Sequence, residues 1–167
     1  MKKKLVIING AMGVGKTTIC KTLYKKLHNS VWLDGDWCWM MNPFDANEYN
    51  RSMVVKNIGY LLRSYLQNPT YEYVVFTWVM HAEEIYRSIL AELSGFEFEH
   101  YKMTFMCDAE ELRERIQKDI ANGERVADSI EKSIERLQMY KQLNSIKIET
   151  SKRAVQEVAD EIVERVT

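Results

Sequence analysis

The sequence predicts an α/β fold: a mostly parallel sheet with helices on both faces. Three observations carry this expectation. β-rich apolar runs alternate with segments of helical spacing along the 167 residues, the pattern of a sheet wound with crossover helices. A glycine-rich stretch, GAMGVGKT at Gly10 to Thr17, lies between the first run and the first helical segment. The length is that of one ordinary domain, and 46% hydrophobic residues can build one sizeable core.

Taken in order, Lys4 to Asn9 reads as a strand, and Lys16 to His28 as a helix with Ile19, Cys20, Leu23 and Leu27 on one face. Ser30 to Asp34 is a second short strand. Ala46 to Gln67 is a long helix marked by Val54, Val55, Ile58, Leu61, Leu62 and Tyr65, stopped by Asn68-Pro69-Thr70. The run YVVFTWVM, Tyr73 to Met80, reads as a buried third strand, and His81 to Leu93 as a helix closed by Ser94-Gly95. A fourth strand falls within Phe98 to Cys107, followed by a charged helix from Ala109, a break at Gly123 and a helix from Ser129 to Leu143. SIKIET supplies a fifth strand and Lys152 to Val166 a closing helix. With no repeat, low-complexity tract or linker, one domain over residues 1–167 is the expectation.

The formal net charge of −1 with 28% charged residues argues against a nucleic-acid or membrane partner and for a small molecule. The apolar run after Lys2 to Lys4 is only Leu5 to Ile8, too short for an export signal, and no stretch approaches the ~20 apolar residues of a spanning helix. Cys20, Cys38 and Cys107 are odd in number and lack CxxC spacing, so reduced thiols in a cytoplasmic protein are expected. A monomer or weak homodimer is the expected state.

GAMGVGKT fits G-x-x-x-x-G-K-[ST] and sits where the motif works, after a strand and opening a helix. Its glycines let the backbone curl until successive amides point inward. Together with the positive end of the helix, those amides form a nest for phosphate. Gly10, Ala11, Met12, Gly13, Val14, Gly15, Lys16, Thr17 and Thr18 are therefore expected to bind nucleotide, with Lys16 catalytic at the β- and γ-phosphates and Thr17 a ligand of Mg²⁺.

A P-loop names the ligand and leaves the reaction open. No N-K-x-D tetrapeptide for guanine occurs, which disfavours a GTP switch. The third strand ends Phe76-Thr77-Trp78 without the acid of hydrolytic P-loop motors, so carboxylates must come from elsewhere. VWLDGDWCW offers Asp34 and Asp36 after the second strand. If that strand neighbours the P-loop strand, one carboxylate holds Mg²⁺ (Asp34) and the other accepts a proton from a substrate hydroxyl (Asp36). The alternative is a hairpin around Asp34-Gly35 with two surface carboxylates.

These motifs resemble the P-loop small-molecule kinases: the shikimate, gluconate, adenylylsulfate and nucleoside monophosphate kinases. The likeness covers essentially the whole chain and is nearest to bacterial nucleotide-kinase-like P-loop proteins. It implies the P-loop NTPase fold, with a five-stranded parallel sheet in order 2-3-1-4-5 and a helical lid within about residues 116–130. Asp34-Gly35-Asp36 is similar to the D-x-D of these enzymes. Residues 107–128 look like their adenine-stacking arginine followed by a lid, implying Arg115 over the adenine and Arg125 swinging onto the phosphates. IETSKR, Ile148 to Arg153, resembles the purine-contacting loop and implies Ser151. The Glu and Arg of EELRERIQKD are equally explained by a solvated ion-pair face.

The segment after Asp36 is where this group builds its acceptor pocket. Here it holds Trp37, Trp39, Met40, Met41 and Phe44, rings that stack on a planar acceptor or belong to the core. Arg51 is a candidate clamp for an anionic acceptor or a solvated side chain; Trp78 and His81 follow the third strand toward the same cleft. The expected activity is an ATP-dependent phosphotransferase moving the γ-phosphoryl group of Mg-ATP to a small-molecule acceptor: a nucleotide, a sugar acid or an antibiotic hydroxyl. The alternative is a non-catalytic or regulatory ATP-binding module.

Overall fold

A computed structural model of the chain describes residues 2–123 and 129–167. Strand β1 (Lys3–Gly10) is buried from Leu5 onward and lies between β3 (Tyr73–Thr77) and β4 (Phe98–Met106), both parallel to it. β2 (Ser30–Asp34) lies outside β3 and β5 (Ile146–Glu149) outside β4, giving the parallel order β2-β3-β1-β4-β5. This is the order expected. All five residues of β3 are buried, so it reads as one continuous apolar run instead of an alternation.

Six helices surround the sheet among the described residues: α1 (Lys16–Lys26), α2 (Glu48–Gln67), α3 (Glu83–Glu92), α4 (Ala109–Ala121), α5 (Ser129–Gln142) and α6 (Val155–Val166). They pack as pairs, α1 on α6, α2 on α3 and α4 on α5. The core runs through Leu5, Ile7, Leu23, Ile58, Phe76, Phe105 and Ile162, each such side chain adding about 1.5–3 kcal/mol on burial. Asn47 caps α2, its side chain accepting the Asn50 N–H at 2.9 Å, so the helix starts two residues later than its apolar face suggests.

Two differences from the expected elements shape the site. β3 stops at Thr77 instead of continuing to Met80. The buried Asn9 side chain on β1 donates to the Met80 carbonyl at 2.6 Å and accepts the Met80 N–H at 2.7 Å. A side chain thus satisfies both backbone groups that a further rung would have used, and the chain leaves the sheet. After β2 there is no hairpin. Gly35–Trp39 is a 3-10 turn whose N-cap is Asp34, the carboxylate accepting the Asp36 N–H at 3.1 Å. The Asp-Gly pair therefore opens a capped helical turn.

Candidate functional site

The register brings Asp34, Thr77 and Ile8 to one level and Gly10, Phe105 and Glu149 close by. The carboxyl ends of the strands thus share one edge, where open α/β sheets bind ligands. The P-loop lies on this edge. Gly15 caps α1 in the left-handed conformation (φ 100°) and the helix begins at Lys16, directing its free amides outward. Gly13 has φ 84°, and a Cβ there would meet Ile116 Cγ1 at 2.6 Å. Helix α4 therefore fits directly beneath the loop only because that residue is glycine.

A cleft of about 720 Å³ opens above the loop, lined by Met12 through Thr18. Gly10 and Ala11 of the motif are buried behind it, where their carbonyls each accept the Lys16 ammonium at 2.9 Å. Asp34 and Asp36 line the same cleft. The Thr17 hydroxyl donates to Asp34 Oδ2 at 3.1 Å, so a loop hydroxyl and a β2 carboxylate, 17 residues apart in sequence, meet at the phosphate end. Asp34 is 5% exposed. Beneath it burial pushes the Cys20 thiol well above its usual range, with Thr77, Asp34 and Lys16 as neighbours, which makes that cysteine an inert packing group. The Thr77 hydroxyl is buried beside these groups.

The opposite end of the cleft is built from α4 and the β5–α6 connection. Arg115 donates to the Val14 carbonyl at 3.1 Å and the Thr150 carbonyl at 2.9 Å, and pairs with Glu111 at 2.5 Å. This side chain ties the P-loop to the last strand while lining the cleft. Burial works to raise the Glu111 carboxyl, but the Lys152 amide and the Arg115 guanidinium outweigh it and hold it below its usual range. Arg153, Lys21, Asp119, Thr150, Val155 and Val158 complete this wall. Arg153 is held by the Glu149 carbonyl at 3.0 Å and Glu161 at 2.6 Å. Ser151 sits next to this wall: its amide and hydroxyl both donate to Glu149, at 2.8 and 2.7 Å, and its oxygen accepts the Asp108 N–H at 2.7 Å.

Trp37 follows Asp36 directly and is 51% exposed, its ring edge-on to Trp32 at 5.0 Å. Two residues expected at the acceptor side lie elsewhere. Trp78 is buried against the Cα of Gly35, where a Cβ would meet its ring at 2.6 Å; Val79 takes its place on the cleft wall. Trp78 thus supports the Asp36 turn from behind. Arg51 lines a separate groove between α2 and α3, beside Glu48 and Glu92. Arg125, with the rest of residues 124–128 of the expected lid, lies outside the described residues. Burial and the nearby Arg136 on α5 lower the pKa of His81, whose Nδ1 is buried without a hydrogen-bond partner among the described residues, which favours the neutral ring.

Sequence reasoning missed Lys21, Asp119, Arg153 and the clamp Asn9. Lys21 lies four residues beyond Thr17 on α1 and was open to a helical-phase argument. Arg153 stood in the quoted IETSKR stretch without a spacing rule to single it out.

No curated protein matches the chain in sequence. Its fold matches solved structures along nearly its whole length. The tunicamycin resistance protein of Deinococcus radiodurans superposes with a TM-score of 0.69 at 19% identity, covering 99% of this chain and 96% of that one. A gluconokinase from Sinorhizobium meliloti 1021 gives 0.69 at 13% identity, with 99% and 91% covered. Shikimate kinase from Acinetobacter baumannii, solved with shikimate, gives 0.66 at 19% identity, with 98% and 93% covered. At these identities the likeness establishes the shared fold. The sequence profile of the AAA domain family matches residues 6–138, which takes in the P-loop, both aspartates and α4. With the greater part of its length so matched, the chain belongs to the AAA domain family.

Proposed function

We propose that the protein is an ATP-dependent phosphotransferase acting on a hydroxyl-bearing small molecule. One observation carries the reading: the P-loop and the Asp34–Asp36 turn line a single cleft, joined by the Thr17–Asp34 hydrogen bond. The names of the fold neighbours, a gluconokinase and a shikimate kinase among them, support transfer to a hydroxyl.

On this reading the loop amides and Lys16 hold the phosphates, and Arg115 and Arg153 bound the nucleoside end. The hydroxyl and carboxylate oxygens of Thr17 and Asp34 suit Mg²⁺, a hard cation that takes few protein ligands beside phosphate and water. When bound, it would neutralise charge on the β- and γ-phosphates. Asp36 orients the acceptor hydroxyl and takes its proton as the acceptor oxygen bonds to the γ-phosphorus and the bond to the β,γ-bridging oxygen breaks, leaving ADP. Arg125, in the expected lid, adds positive charge on closure. Phosphoryl transfer is loose and mostly a matter of positioning and electrostatics, so a carboxylate on a capped turn suffices as base.

The second reading, a binding module without transfer, is favoured by Thr77 at the strand end where hydrolytic relatives carry an acid. Acceptor-dependent ADP release across nucleosides, sugar acids and hydroxylated antibiotics separates the two. Turnover abolished by Lys16→Ala supports the kinase. Calorimetric ATP binding lost in the same variant, with no acceptor response in the parent, supports the module.

A further inference from the structure

Strand β1 ends differently on its two sides. Toward β4 its register runs on to Asn9↔Thr104 and Gly10↔Phe105, whereas toward β3 it stops two residues earlier, at Ile8↔Thr77. The Ile8 carbonyl still accepts the Trp78 N–H at 3.2 Å. Beyond it the Asn9 side chain takes over and holds both backbone groups of Met80. Asn9 and Met80 are both fully buried. Asn9 therefore reaches no ligand, and its two bonds leave Met80 a single place to sit.

Two parts of the cleft meet at this residue. On one side Asn9 precedes Gly10, whose carbonyl accepts the Lys16 ammonium at 2.9 Å. Gly10 has no room to shift, since a Cβ there would meet both the Phe105 carbonyl oxygen and Val14 Cγ1 at 2.9 Å. On the other side, the grip on Met80 sets the two residues before it. Val79 lines the cleft wall. The Trp78 ring lies against Gly35, the first residue of the turn that carries Asp36. The other link between loop and turn is the Thr17–Asp34 hydrogen bond, which uses the oxygens that the proposed Mg²⁺ would take. The route through Asn9 uses neither of them and stays in place when the cleft is loaded.

Resting on the phosphotransferase reading, we propose that Asn9 is a positioning residue of the transfer. It fixes the turn bearing Asp36 relative to the phosphate loop, acting through Met80, Trp78 and Gly35. Transfer to a hydroxyl depends on placement, and a displacement of about 1 Å at the reacting groups can cost about 100-fold in rate. The phosphate loop is held separately, by its own lysine and by β4. Loss of the Asn9 bonds therefore slows transfer without loosening the nucleotide.

The test reads motion and turnover separately. Hydrogen exchange over residues 35–39 is followed by mass spectrometry in the parent, Asn9→Ala and Ile89→Ala, the last a core truncation on α3 away from the cleft. Asn9→Ala should quicken exchange in this turn, which Asn9 does not touch, by about tenfold; Ile89→Ala should not. ADP release with uridine, gluconate and shikimate as acceptors gives the second reading. Asn9→Ala should lower kcat about 10- to 100-fold while Mg-ATP affinity by calorimetry stays that of the parent, and Ile89→Ala should change neither. Trp78→Phe should show the same split. The double variant should be no slower than the slower single one, because both act along one route. Should Asn9→Ala not fold, Asn9→Ser, whose hydroxyl is too short to hold both backbone groups, is read in the same way. Unchanged exchange in the turn, Mg-ATP affinity falling in step with kcat, the same losses in Ile89→Ala, or multiplied losses in the double variant overturn the proposal. Quickened exchange in the turn with no ADP release by the parent leaves the placement by Asn9 standing and removes the phosphotransferase.

Discussion

The two ends of the cleft are built on different principles. At the nucleotide end, backbone amides, a helix start and two arginines are locked by carboxylates: Arg115 by Glu111 and Arg153 by Glu161. At the end where we propose that the acceptor binds, a 3-10 turn and the loop before α2 carry exposed rings, Trp37 directly after Asp36. The first end suits a ligand with invariant phosphates, for which rigidity lowers the cost of binding. The second suits a variable partner, recognised by surface shape. The lesson is that the phosphate-binding geometry rests on local backbone conformation, while the rest of the cleft rests on side chains brought together from separate elements.

The largest effect that would break this division is at Lys16. Lys16→Ala removes the ammonium from the phosphate end and should abolish transfer while weakening ATP far more than adenosine, as read by calorimetry with Mg²⁺. Equal loss for both ligands would mean that the loop holds the base and not the phosphates. Next, Asp36→Asn keeps the shape of the turn and removes its proton acceptor. It should lower kcat on the order of 10²- to 10⁴-fold, toward the smaller figure if the group mainly positions, with Mg-ATP binding intact. Asp34→Asn sharpens the comparison, since the altered group bonds Thr17: the apparent affinity for Mg²⁺ should fall, and an unchanged Mg²⁺ dependence would assign Asp34 to the turn alone.

Smaller effects separate support from chemistry. Gly35→Ala drives a Cβ into the Trp78 ring and should destabilise the protein by about 1–3 kcal/mol, the range for overpacking, while raising acceptor KM more than ATP KM; calorimetric melting and kinetics together read this. The smallest concerns pH. Folding holds the Glu111 carboxyl below its usual 4.5, so its contribution is complete above that value and is lost as the pH falls through the folded value. Glu111→Gln should therefore lower stability near neutrality and flatten the acid limb of a stability–pH curve, and a parallel shift at every pH would show that the Arg115 pairing is not what depresses it.

The sheet and the P-loop were legible because their signals are local: alternation of element types, and eight consecutive residues between a strand and a helix. The aspartate pair was legible as a pair, but its geometry was not, since Asp-Gly serves hairpins and capped turns alike and only the Asp36 N–H bond to Asp34 decides. Trp78 shows why the rest was hidden. Whether it faces the cleft depends on where β3 ends, and that is set by Asn9 gripping Met80 across a separation of 71 residues. Arg51 stands on the early turns of α2, where helical phase relative to a distant α3 decides between cleft and groove. Glu161 fastening Arg153 is likewise a contact between the β5–α6 turn and the second half of α6.

The central claim, that this cleft moves a phosphoryl group to a hydroxyl, is tested most directly by following the phosphorus itself. ³¹P NMR of Mg-ATP with the protein and a panel of nucleosides, sugar acids and hydroxylated antibiotics should show, for at least one of them, ADP and a new phosphomonoester rising together, in equal amounts, with neither formed by Lys16→Ala. ADP accompanied only by inorganic phosphate, or an ATP spectrum that never changes with any hydroxyl acceptor, would contradict it.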